Sequence, residues 1–226
     1  AELTGKDQFY KKNVSTVFPD VTADKLPVAD KKETAEISTR FGEKTYRISM
    51  QRVSLGEVVA KSEFLENSNR NASLIAMYLY DDTELKSYIK KNEDNKLVVA
   101  LAYLDNYEEA LESVEDVRRS LLIALIDRKI TKYFSNFDGL VKKLEKDKYF
   151  LIMRQSSLEA LKEQRFHILD EVKTVNIGNE MAITLSIGVG LNASTYLQNY
   201  EYSRIAIEMA LGRGGDQVVI KNGNNI

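Results

Sequence analysis

Apolar residues along this chain fall into two rhythms. Over residues 33–80 they come in short, alternating runs rich in β-branched and aromatic side chains. ETAEISTRF and KTYRISMQRV flank Gly42-Glu43, and NASLIAMYLY follows a polar stretch at 66–71. Alternation of period two, bounded by turn residues, predicts three strands, the first two joined as a hairpin. DDTEL at 81–85 comes next, with Asp82 or Thr83 placed to cap a short helix through Lys90. The charged run KKNEDNK at 90–96 reads as a junction between two domains.

From Leu97 the pattern changes. LVVALAYL is a continuous apolar run, as expected of a central strand buried on both faces. The segment YEEALESVEDVRRSLLIALIDRKITKYF places Ala110, Val114, Val117, Leu121 and Leu125 at helical spacing. Two strand-like pieces, 137–144 and 148–153, surround a tip whose four residues, Glu145, Lys146, Asp147 and Lys148, are all charged. SSLEALKEQRFHILDEVKTV predicts a helix with Ser156 and Glu159 in capping-box spacing. Its apolar face carries Leu158, Leu161, Ile168, Val172 and Val175. MAITLSIGV predicts a strand with Met181, Ile183, Leu185, Ile187 and Val189 on one face. SRIAIEMALGRGG then reads as a helix stopped by glycine, and DQVVIK as a closing strand. The order after residue 96 is β-α-β-β-α-β with a last helix and strand, the split-βαβ or ferredoxin-like arrangement. The fold class is therefore α+β.

Composition narrows the chemistry. A net charge of −2 gives no overall electrostatic footprint for nucleic acid. Zero cysteines exclude disulfides, thiolate metal sites and cysteine nucleophiles. No run approaches the ~20 apolar residues of a membrane helix. His167 is the only histidine, which leaves no Ser-His-Asp triad or multi-histidine metal site, and its neighbours Arg165 and Asp170 suggest a solvated helix flank. Gly212, Gly214 and Gly215 follow a helix and lack a downstream Lys-Ser/Thr, which points to a C-cap and not a phosphate loop. The chain starts AELTGKDQ without methionine and carries no signal peptide, so we expect a piece of something longer.

The strand end AYLDNYEEAL, the hairpin tip KLEKDKYF, the strand TLSIGVG and the closing ALGRGGDQVVIK together resemble the GGDEF domain of diguanylate cyclases over 97–220. That resemblance implies two metal ions held by carboxylates at the strand end and the hairpin. By position, Tyr103 replaces the first metal-binding acid and Asp105 keeps the second. Glu145 and Lys146 replace the two glycines, Lys148 replaces the catalytic glutamate, and Leu111 and Ser120 replace the guanine-reading pair. These departures argue against a cyclase. Lys142, Lys143, Lys146 and Lys148 leave a local positive charge able to meet a triphosphate, and Asp105 and Asp147 could share one magnesium. The opposing reading is a solvated tip with two turn or cap aspartates.

A degenerate domain of this kind, closing on ALGRGGDQVVIK, resembles the membrane-anchored cyclic-di-AMP phosphodiesterases of the GdpP (YybT) type. Their arrangement implies a PAS domain, a degenerate GGDEF domain and a DHH/DHHA1 catalytic pair that uses manganese. AELTGKDQF resembles a stretch of a PAS domain, and the strands of 33–80 resemble its last three, with an Asp-x-Thr exit at Asp81-Asp82-Thr83. The expected division is a front-truncated PAS-type sensor at 1–89, a linker at 90–96 and the degenerate GGDEF domain at 97–226. No Asp-His-His motif occurs, so the phosphodiesterase site is expected outside this sequence. The resemblance further implies a cytoplasmic portion of a cell-membrane protein, a homodimer, haem at the PAS domain and slow hydrolysis of ATP with magnesium. Haem needs an axial ligand, and residues 1–85 offer no His or Cys, only Met50, Met77 and tyrosines. The expected function is a regulatory fragment that transmits a signal to a downstream phosphodiesterase, with a weak ATPase or a dimerisation scaffold as alternatives.

Overall fold

The computed structural model describes residues 13–27, 34–54, 73–223 and 225. AELTGKDQF and the polar stretch at 66–71 lie outside them. The chain divides into two compact units, 1–90 and 91–226.

In the first unit, β1 (Thr34–Phe41), β2 (Lys44–Ser54) and β3 (Ser73–Asp81) form an antiparallel sheet in that order. The β1–β2 turn closes in two residues, Phe41 pairing with Lys44. Gly42 takes φ +61 there, the left-handed region that short hairpins assign to glycine. Tyr46, Ile48 and Met50, every second residue of β2, join Phe18 and Val21 in one core. The Asp-x-Thr exit is a clasp. Asp81 accepts from Lys44 Nζ (2.9 Å) and from Thr83 N–H, and Thr45 N–H donates to Thr83 Oγ1 (2.9 Å). Asp82 accepts from Arg47 Nε at 2.9 Å. The helix expected to end near Lys90 is α1 (Thr83–Asn95), which continues through the junction expected at 90–96 as far as Asn95.

The second unit runs β4 (Leu97–Leu104), α2 (Tyr107–Glu112), α3 (Asp116–Ser135), β5 (Leu140–Lys143), β6 (Lys148–Arg154), α4 (Gln155–Glu163), α5 (Ile168–Lys173), β7 (Leu185–Leu191), α6 (Tyr196–Gly212) and β8 (Val218–Asn222). Its sheet has the order β5-β6-β4-β7-β8, antiparallel except for the parallel β7–β8 pair. The first four strands thus stand in the ferredoxin-like order, with β8 added at one edge.

Several boundaries depart from the sequence pattern. The predicted helix from Tyr107 is two helices, broken at 113–115, and the break resets the phase of the second. Val117 (89%) and Leu121 (52%) are exposed, while Leu122, Ile126, Ile130 and Phe134 are buried. The strand expected at 137–144 begins only at Leu140, because Asp138 (φ +55) and Gly139 turn the chain tightly against the Phe134 carbonyl. The long helix from Ser156 is also two. Arg165 and Phe166 take positive φ, and the Phe166 N–H bonds the Leu161 carbonyl (2.9 Å), the 6→1 closure of a helix end. Ser156 lies inside α4, whose N-cap position is Arg154, so no capping box forms. All five apolar residues predicted for its inner face are nevertheless buried.

The strand expected from Met181 begins at Leu185, and Met181 is half-exposed. Every residue of β7 is buried, so it does not alternate between core and solvent. Leu185, Ile187, Val189 and Leu191 enter the main core on one face. The other face presents Ser186, Gly188 and Gly190 to α6. A Cβ on Gly188 would stand 2.2 Å from the Ile207 nitrogen, and one on Gly190 would stand 2.0 Å from the Asn199 carbonyl oxygen. The two glycines therefore let α6 lie directly on the strand backbone. This contact sets α6, and with it the loop that leads to β8.

Candidate functional site

The end of β4 and the β5–β6 tip are brought together by strand register. Tyr103 pairs with Lys148, and the Leu104 N–H donates to the Asp147 carbonyl at 2.9 Å. One residue further on, the Asp105 N–H donates to the Thr184 carbonyl at 3.0 Å. Asn106 extends the splice with its side chain, donating to the Ala182 carbonyl (2.8 Å) and accepting from the Thr184 N–H (3.0 Å). The strand end is thereby pinned to the entry of β7.

The tip closes without glycine for a simple reason. Leu144 and Glu145 N–H both donate to the Lys148 carbonyl, at 2.9 and 3.3 Å, and none of residues 144–147 takes a positive φ. No position there demands the left-handed region, so side chains are tolerated throughout. Lys148 Nζ pairs with Glu145 at 2.7 Å and lies 5.5 Å from the centre of the Tyr103 ring. The Glu145 carboxylate raises the Lys148 ammonium above its ordinary pKa, and burial pushes the Tyr103 phenol up while Lys148 pulls it the other way. Tyr103, Glu145 and Lys148 thus form one self-satisfied group. Lys143 is held by Asp127 (2.8 Å), which leaves Lys142 and Lys146, both exposed, as the tip cations without an ion pair among the described residues.

Asp105 turns away from the tip. Its Oδ2 accepts the Asp216 N–H at 2.9 Å, and a Cβ on Gly215 would sit 2.8 Å from its carboxyl carbon. Gly214, Gly215 and Asp216 all have positive φ, so Asp105 fastens a tight turn after α6. Lys173 holds the same turn from α5, 2.6 Å from Asp216, and that carboxylate raises the lysine's pKa. Asp105 Oδ1 and Asp216 Oδ1 are buried without hydrogen-bond partners. Asp147 is half-buried, and its carboxylate makes no hydrogen bond with the described residues. Leu111 packs against the core and Ser120 is exposed. His167 lies 3.6 Å from Asp170 at the exposed start of α5.

One node was not anticipated. Tyr149, 1% exposed, donates its phenol hydrogen to Asp127 of α3, and Lys143 Nζ approaches the same carboxylate at 2.8 and 2.9 Å. Burial first, then the bond to Asp127, pushes the Tyr149 phenol far above the ordinary tyrosine range. This brace ties the hairpin to α3. Its only sequence signal was an aspartate directly after the apolar run LLIALI.

A pair of magnesium ions does not fit these residues. A phenol stands at one ligand position, an ammonium group stands at another, and Asp105 is committed to the α6–β8 turn. Among the described residues no three His, Cys, Asp or Glu side chains gather as a metal site. Of the candidate haem ligands in the first unit, Met50 is fully buried and Met77 packs against the same core, and neither His nor Cys occurs in 1–85. Among the described residues, no helix is long and apolar enough to cross a membrane.

Comparison with known proteins adds to this geometry. The family described as "Cyclic-di-AMP phosphodiesterase GdpP-like, GGDEF domain" matches residues 102–226. The cyclic-di-AMP phosphodiesterase PdeA of Listeria monocytogenes is 36% identical over 145 residues, 64% of this chain and 22% of the relative. The cyclic-di-AMP phosphodiesterase GdpP of Bacillus subtilis is 28% identical over 190 residues, 81% of this chain and 29% of the relative. The chain spans less than a third of the length of these relatives. Among solved structures, the GGEEF domain of a diguanylate cyclase from Vibrio cholerae is 14% identical with a TM-score of 0.49, covering 60% of this chain and 89% of that one.

Proposed function

The chain belongs to the GGDEF-domain family of GdpP-like cyclic-di-AMP phosphodiesterases, and from that premise we propose that it is a regulatory portion of such an enzyme. It carries a PAS-type sensor followed by a GGDEF domain that makes no cyclic dinucleotide. Its signal passes to a DHH/DHHA1 module, loaded with manganese and located elsewhere in a membrane-anchored parent. The carrying observation is the Lys148–Glu145 pair set over Tyr103, which fills the former metal-binding corner with a cation and a phenol. Exposed Leu85 and Ile89 on α1 support a homodimer as the working form.

Two assays test the reading. Incubation with GTP and saturating magnesium is expected to yield no cyclic di-GMP; a measurable yield overturns the non-cyclase assignment. In the parent protein, deletion of residues 97–226 is expected to change the rate of cyclic-di-AMP hydrolysis, and an unchanged rate removes the regulatory role. A second reading, weak magnesium-dependent ATP hydrolysis, draws on the unpaired Oδ1 of Asp105 and the free carboxylate of Asp147. It requires that phosphate release fall when both are changed to alanine.

A further inference from the structure

A groove of about 480 Å³ runs along α3 in the second unit, built from none of the strand-end or hairpin residues. Helical spacing gives it two ridges. Leu125, Lys129 and Tyr133 step along one, Arg128, Lys132 and Asn136 along the other, each four residues apart. Glu171 of α5 closes the far side. Three cations thus face a single anion. Arg128 and Lys132 are exposed, and neither makes an ion pair or a side-chain hydrogen bond with any described residue. Lys129 is loosely held, 3.7 Å from Glu171 and 3.5 Å from Thr174 Oγ1. Beneath them Tyr133 is 7% exposed and packs edge-on against Phe134. Its hydroxyl is buried without a hydrogen bond of ordinary geometry, although the Ile168 amide acts on it.

We propose that this groove binds a small phosphorylated ligand through Arg128, Lys132 and Lys129. Unpaired cations one helical turn apart match the spacing of neighbouring phosphate groups better than a single carboxylate. The guanidinium supplies a planar fork for two phosphate oxygens and the lysines supply point charges. The volume lies in the ordinary range for small-molecule sites. Asn136 adds an amide at the outer end. Glu171 restrains Lys129 and opposes the ligand's charge, so it tunes the affinity downward.

The test is calorimetric titration of tripolyphosphate into the full chain and three variants. Arg128→Ala with Lys132→Ala is expected to weaken binding at least tenfold. The pair Lys142→Ala and Lys146→Ala, at the hairpin tip, is expected to change it less than twofold. Glu171→Gln is expected to strengthen it about threefold, the order of one exposed charge pair. The substituted cations are exposed, and an unchanged melting temperature confirms that the variants fold. Absence of binding at millimolar tripolyphosphate overturns the proposal. So does equal weakening by both double variants, which marks diffuse charge, or weakening by the tip variants alone, which assigns the ligand to the hairpin. Each of these outcomes leaves the regulatory reading standing, since that is judged by the deletion in the parent.

Discussion

Gly190→Ala is expected to lose more than about 4 kcal/mol of stability, at the exceptional end for a single substitution. The added methyl would stand 2.0 Å from the Asn199 carbonyl oxygen, 2.6 Å from the Ser203 nitrogen and 2.8 Å from the Tyr202 Cβ. Two of these atoms belong to the backbone of α6 and cannot swing aside as a side-chain end can. Relief requires α6 to lift from β7, which would uncover a fully buried strand and drag the loop held by Asp105. Native domains have only about 5–15 kcal/mol in hand, so the variant should unfold at a much lower urea concentration or fail to accumulate as soluble protein. Gly212→Ala is the control. A methyl added there would have no atom within 4 Å and its φ is not positive, so the midpoint should hold or rise slightly. A Gly190→Ala protein as stable as the parent would show that α6 does not rest on β7 in this way.

Leu122→Ala and Leu121→Ala form the second contrast. Leu122 is 0% exposed among Ile126, Ile130 and Phe134, whereas Leu121 is 52% exposed. Truncating the buried residue should cost about 3–5 kcal/mol through lost burial and the cavity left behind. Truncating its exposed neighbour should stay within about 0.5 kcal/mol. Chemical denaturation of both proteins decides the helix phase, and equal losses would contradict the observed face.

That contrast also shows where the sequence stops being legible. An apolar run such as LVVALAYL identifies a central strand, because burial on both faces leaves no polar residue to obscure it. The order of elements from 97 onward, the three strands at 34–81 and the GGDEF-type resemblance could all be read from such runs and from the motifs. Helix phase could not. The break at 113–115 has neither proline nor glycine, and the period counted from Ala110 continues through it to the wrong residues. Arg165 and Phe166 likewise show no sign of the left-handed backbone that splits α4 from α5. The replaced residues Tyr103, Glu145 and Lys148 could be named in advance, but their mutual pairing could not. Asp105 looked like a surviving ligand, and only its contact with Gly215 and Asp216 reveals the turn it fastens. Charge in a sequence does not state its partner. Partners 111 residues apart, as Asp105 and Asp216 are, emerge only from the fold.

The Tyr149–Asp127 brace has an optical consequence. The protein has twelve tyrosines, and an unperturbed phenol becomes tyrosinate near pH 10, in a gradual absorbance rise. Tyr149 holds its proton well beyond that range. A folded-state pKa above the unfolded value means its stabilisation is intact below about pH 10 and is lost as the pH climbs further. Its own tyrosinate band should therefore arrive late and abruptly, together with the loss of circular dichroism. Tyr149→Phe should shrink that late increment, to which Tyr103, Tyr107 and Tyr133 also contribute because burial raises their phenols, while sparing the gradual one. Coincidence of the two signals would make this phenol an intrinsic chromophore that reports whether hairpin and helix are still joined.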